Sequence, residues 1–266
     1  MVRGGWPAAG CAAVLLVLAG CGRPAAEPEP VPKAGADVRA GAEEKATEEP
    51  AGLAPYTSTD ELPQTLGADG TTIMVGDPDA ALTIHMYEDL RCPVAQEFEA
   101  TGGQAVRRDL MRRETKAEYT LASFMDDNLG GTGSAKAANA LRAALEEEKF
   151  LEYLNVLFVH QPEGGADGFT DARLLELAGQ VKGLRGPEFD AAVHTMKYRD
   201  FVSASQQAYL EAGESGEPEG PGTPTVLIND KRIPDQVAGV LYDHDVLGVL
   251  LWEIRKDPQR WETTPL

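Results

Sequence analysis

Tyr87-Glu88-Asp89-Leu90-Arg91-Cys92-Pro93-Val94-Ala95 is the stretch whose reading decides the fold. Just upstream, Leu82-Thr83-Ile84-His85-Met86-Tyr87 is rich in β-formers, apolar on one face and mixed on the other, which predicts an interior strand. Downstream, Val94, Phe98, Ala105, Val106 and Leu110 recur at near-helical spacing. Pro93 suits the first helical position, because its φ is preset and its missing N–H has no helical partner there. Cys92 is thereby placed where a strand becomes a helix, facing the positive end of the helix dipole, which favours a thiolate. Gly102-Gly103 is expected to bend that helix. Arg107, Arg108, Arg112 and Arg113 fall in its last turns, where cations complement the dipole's negative end.

Working outward, residues 117–124 read as a second strand with Tyr119, Leu121 and Ser123 on one face, and Asp126-Asp127-Asn128 as the turn leaving it. Helical patterns follow over 135–147, at Phe150, Leu151, Leu154, Leu157 and Phe158, and at Leu174, Leu175, Ala178 and Val181. Pro187 opens another helix, and 201–210 continues the helical block. Gly222-Thr223-Pro224-Thr225-Val226-Leu227-Ile228 returns to strand, Asn229-Asp230 supplies a turn, and 231–233 pairs back. Asp245 is expected to cap a last helix through Val246, Leu247, Leu250, Leu251 and Ile254. The order is β-α-β, a helical insertion over about 130–215, then β-β-α: an α/β fold.

The first 66 residues differ from the rest. Residues 1–20 carry Arg3 and an apolar run from Ala12 to Ala19, too short to span ~30 Å of hydrocarbon and suited to a secretory signal. Leu18-Ala19-Gly20-Cys21 resembles the lipobox of bacterial lipoproteins. That resemblance implies cleavage before Cys21 and a diacylglycerol thioether on its sulfur, with Cys11 lost in the leader. Residues 21–66 are rich in Pro, Ala and Glu with one aromatic, Tyr56, and are expected to form a disordered stalk. A coil of ~45 residues spans roughly 35–40 Å. The folded domain is then expected over 67–262.

With 24 Lys+Arg against 43 Asp+Glu in 266 residues, the formal charge of −19 argues against a nucleic-acid partner. Three cysteines allow no disulfide framework. His85, His160, His194 and His244 have no ligand-like spacing, so no metal and no cofactor is expected. No nucleophile-elbow serine, phosphate-binding glycine loop or Rossmann fingerprint occurs.

The segment Tyr87 to Ala95 resembles the strand and active-site turn of DsbA-like thioredoxin-fold proteins, and Gly222-Thr223-Pro224-Thr225 resembles their cis-proline loop. Those exported thiol:disulfide oxidoreductases carry a helical insertion where this chain has one. The resemblance implies that Cys92 is the reactive thiol. It implies that Pro93, Val94, Ala95, Thr223 and Pro224 contact substrate, and that Glu88 or Asp89 moves protons to or from the sulfur, at least one of the two being expected to stay a solvated loop charge. The departure is Ala95, which stands where the family has its second cysteine. An internal disulfide is therefore impossible in the mature domain, and two chemistries remain. One is single-cysteine exchange, isomerase-, reductase- or dethiolation-like, on exported proteins, with a redox partner or a low-molecular-weight thiol for release. The other is a redox-inactive binding or chaperone-like module. Either would act at the extracytoplasmic face of the cell membrane, held by its lipid.

Overall fold

The computed structural model describes residues 53–263. The leader, Cys21 and the stalk as far as residue 52 lie outside the described residues. Six strands form one sheet in the order β1-β2-β4-β3-β5-β6, comprising β1 (Gln64–Leu66), β2 (Thr72–Gly76), β3 (Leu82–Asp89), β4 (Thr115–Ala122), β5 (Thr225–Ile228) and β6 (Lys231–Arg232). Strands β3 and β4 run parallel, from Leu82 opposite Thr115 to Asp89 opposite Ala122. The crossover between them is α1 (Pro93–Ala100) and α2 (Gly102–Met111). Strand β5 runs antiparallel to β3, with Tyr87 opposite Thr225. That register sets Pro224, one residue earlier, beside the end of β3.

Strand β3 alternates buried Leu82, Ile84, Met86 and Glu88 with Thr83, His85, Tyr87 and Asp89 on its other face. His85 and Tyr87 stack with ring centroids 4.4 Å apart. Between β4 and β5 come α3 (Phe124–Leu129), α4 (Gly133–Glu146), α5 (Phe150–Val159), α6 (Asp171–Ala178), α7 (Pro187–Thr195) and α8 (Arg199–Glu211). These helices form the expected insertion. The chain closes with α9 (His244–Lys256), packed on α2, and α10 (Pro258–Thr263). Among the described residues no helix is long and apolar enough to cross a membrane.

Several expectations are corrected. Residues 62–66 are not stalk: Leu62 and Gln64 are buried, and β1 pairs with β2. The ordered chain begins earlier still, where the Tyr56 ring lies 3.7 Å under the Arg113 guanidinium and its backbone N–H donates to Met111 O. Asp126-Asp127-Asn128 belongs to α3 rather than to a turn, because Asp126 folds back to accept the Ser134 and Ala135 N–H groups that open α4. Asp243, not Asp245, caps α9, accepting from the N–H groups of Asp245 and Val246. The first crossover helix breaks outright at Thr101 (φ −122°, ψ −93°) rather than bending. Gly102 is required after the break, since a Cβ there would lie 2.1 Å from the carbonyl oxygen of Leu241.

Candidate active site

Strand β3 ends at Asp89, the Cys92 N–H donates back to Asp89 O (3.0 Å), and Pro93 opens α1 with Cys92 at its N-cap. The strand-to-helix junction read from Cys92-Pro93 is therefore present. No side chain caps α1, so its first N–H groups remain oriented toward the thiol. The sheet register brings Thr223 opposite, and Cys92 Sγ donates to the Thr223 carbonyl oxygen at 3.2 Å. The Thr223–Pro224 peptide bond is cis. The thiol is free and only 7 % exposed.

The residues expected around it divide. Val94 is 45 % exposed and faces outward beside the thiol, and Pro93 lines a cavity of about 410 Å³ with Gln96, Glu99, Arg107 and Phe158. Ala95, expected beside substrate, is fully buried, so no surface of it is open in this structure.

Glu88 and Asp89 require a correction, since both are completely buried and neither is a solvated loop charge. The pleat sends them to opposite faces. Glu88 points under α1, where no N–H or hydroxyl donates to either of its oxygens and the Glu99 carboxyl is its polar neighbour. Burial, and then the nearby Glu99 carboxylate, push its carboxyl well above the ordinary range. Asp89 accepts from the Arg91 N–H (2.9 Å), the Met125 N–H (3.0 Å) and Ser134 Oγ (2.6 Å). Burial outweighs these bonds and raises it to about 6.

Four residues near the thiol escaped the sequence reading. Glu99 is buried on α1 and ion-paired with Arg107, whose Nη2 also donates to Glu99 O (2.6 Å). Arg107 therefore serves this pair, not only the helix dipole as expected. Glu99 stands two helical turns after Cys92, on the same face, and that spacing was a usable signal. Arg91 is 1 % exposed and bonds into the insertion, and half-buried Gln161 bonds from the insertion back to the turn. Among the described residues no group of three or more His, Cys, Asp or Glu is arranged to hold a metal.

The family model described as Thioredoxin matches residues 68–240. Among solved structures, the chain is similar to BdbD from Bacillus subtilis in its oxidised form, with TM-score 0.58 and 20 % identity, covering 71 % of this chain and 95 % of that one. It is similar to DsbA from Chlamydia trachomatis, with TM-score 0.55 and 17 % identity, covering 69 % and 91 %. The thiol-disulfide oxidoreductase MdbA from Corynebacterium diphtheriae gives TM-score 0.53 and 18 % identity, covering 68 % and 91 %. No curated protein gives a significant match in sequence. The match over most of the described residues and the likeness in fold together show that the chain belongs to the thioredoxin family and has the fold of the DsbA-like thiol-disulfide oxidoreductases.

Proposed function

We propose that this protein performs single-cysteine thiol-disulfide exchange on exported polypeptides, tethered to the extracytoplasmic face of the cell membrane by lipid on Cys21. The reading rests on one observation, the Cys92 sulfur at the start of α1 within hydrogen-bond reach of the Thr223 carbonyl. The Cys92 thiolate attacks one sulfur of a substrate disulfide, forms a mixed disulfide and releases the other sulfur as a thiolate. A second thiol, from the substrate or from a low-molecular-weight donor, then attacks the substrate sulfur of the mixed disulfide. A new disulfide forms, Cys92 leaves as thiolate and no net oxidant is consumed.

The neighbouring groups have distinct parts in this scheme. In the mixed disulfide Cys92 carries no proton, so the Thr223 carbonyl loses its donor and is free to accept an N–H from an extended substrate segment. Pro224 holds that edge open, and Val94 gives the substrate an apolar contact. Glu88, kept protonated by burial, hands its proton to Glu99 at the cavity beside Pro93 and takes in exchange the proton that the thiol loses. Asp89, bonded into the insertion, holds the turn instead.

Mixed disulfides trapped in cells test the reading. Captured exported proteins that disappear in Cys92→Ser are the expected result. Partners retained in Cys92→Ser, with no disulfide-linked species in the wild type, would favour the redox-inactive binding module, to which buried Ala95 and the covered thiol also lend support.

A further inference from the structure

The turn that carries the thiol is gripped by the helical insertion through two side chains of unusual placement. Arg91, the residue before Cys92, buries its guanidinium almost completely. Its Nε donates to Gly165 O (2.9 Å), and its Nη1 donates to Gly130 O (3.0 Å) and to Asp126 Oδ1 (2.6 Å). A buried guanidinium is costly unless its donors are met, and here three of its five N–H donors are met by three separate points of the insertion. Gln161, just after α5, donates from Nε2 to both Leu90 O (2.9 Å) and Cys92 O (3.0 Å). The insertion thereby holds the backbone on each side of Arg91. Gly165 sits at φ +74°, and a Cβ there would lie 3.0 Å from Arg91 O, so the loop is shaped to lie against the turn.

An internal disulfide would tie a turn of this kind to its helix, but Ala95 removes that constraint. The sulfur's alignment with Thr223 must then be kept by other bonds, and beside those of Asp89 the bonds from the turn to the insertion come from these two residues.

We infer that Arg91 and Gln161 are positioning residues for Cys92: they clamp the Leu90–Cys92 turn to the insertion and keep the sulfur in register with the Thr223 backbone. The inference rests on the exchange reading above, and it predicts a split that loss of stability alone does not produce. Loosening the turn uncovers a cysteine that is now only 7 % exposed as a residue, so a small alkylating reagent reacts faster. Reaction with an extended disulfide peptide, which needs the Thr223 register, becomes slower.

The test uses the wild type, Gln161→Ala and Arg91→Lys. The lysine keeps the charge facing Asp126 but loses the fork that reaches Gly130 and Gly165. Iodoacetamide alkylation and exchange with a short peptide carrying an activated disulfide are measured at one pH, with circular dichroism confirming that each variant is folded. Losing a hydrogen bond worth ~1 kcal/mol corresponds to roughly a fivefold change in rate. Alkylation is expected to rise by about that factor in each variant, and peptide exchange to fall by at least as much. Both rates unchanged, or both moving together, in folded variants would overturn the positioning role. If the wild type exchanges with no peptide, the exchange reading fails separately. The alkylation arm still decides the clamp, supporting it by faster alkylation in the variants and overturning it by equal rates.

Discussion

On the α1 side of the thiol-bearing turn, Glu88 is buried with no N–H or hydroxyl donating to either oxygen, whereas on the insertion side Asp89, the next residue, is also buried and accepts three hydrogen bonds. The same functional group, displaced by one residue on a pleated strand, meets two environments. Desolvation raises both carboxyls. Hydrogen-bond donors oppose the shift at Asp89, which is raised to about 6, while at Glu88 the neighbouring Glu99 carboxyl adds to burial and the Arg107 charge opposes it. Full burial of a carboxyl thus serves two purposes here, one group being available to hold and release a proton and the other fastening two segments together.

The largest expected break in this comparison is Asp89→Ala. It strands the N–H groups of Arg91 and Met125 and the Ser134 hydroxyl, and unsatisfied buried donors cost ~1–3 kcal/mol each. Urea unfolding should show a loss of about 4 kcal/mol net of the carboxylate's own desolvation.

The next effect is a pH dependence of unusual sign. The folded chain keeps the Asp89 proton up to about pH 6, against an ordinary value of 3.8, so between these limits it binds more protons than the unfolded chain. This contribution is fully present below pH 3.8, declines as the pH rises towards 6 and is gone above it, amounting to at most about 3 kcal/mol. Urea unfolding of the wild type and Asp89→Asn at pH 4 and pH 7 isolates it. The wild type should lose stability relative to the variant at the higher pH, and parallel curves would contradict the shift.

The smallest effect has the opposite direction. Glu88→Met replaces an unbonded buried carboxyl with an apolar side chain of similar length and should stabilise the domain by about 1 kcal/mol. In peptide exchange the same variant should lower the rate by one to two orders of magnitude, the ordinary worth of a positioned proton carrier at the low end. A gain in stability together with a slower exchange would separate the proton-handling side from the fastening side most sharply.

What the sequence revealed around this turn was local. Cys92-Pro93 announces a helix start by its own chemistry, and Thr223-Pro224 announces its loop, so strand, turn and opposing loop could be placed without coordinates. Asp69-Gly70 is a hairpin signal, and Asp69 does accept from the N–H groups of Thr71 and Thr72, yet β1 and β2 are short and partly polar, so the pair escaped notice. Asp89 is open to reading as a loop charge and Arg91 draws no reading of its own, because their partners, Ser134 and Gly165, lie far along the chain. Glu99 and Arg107 are joined only because the helix breaks between them. No helical periodicity encodes that break.

The ring of Tyr56 against Arg113 has one more consequence. Arg113 lies just before the beginning of β4, and Cys92 just past the end of its parallel neighbour β3, an eight-residue strand of roughly 26 Å at ~3.3 Å per residue. Tyr56 is consequently fastened at the end of the β3–β4 pair remote from the sulfur, and the thiol-bearing end of the same pair is left to α1 and the insertion.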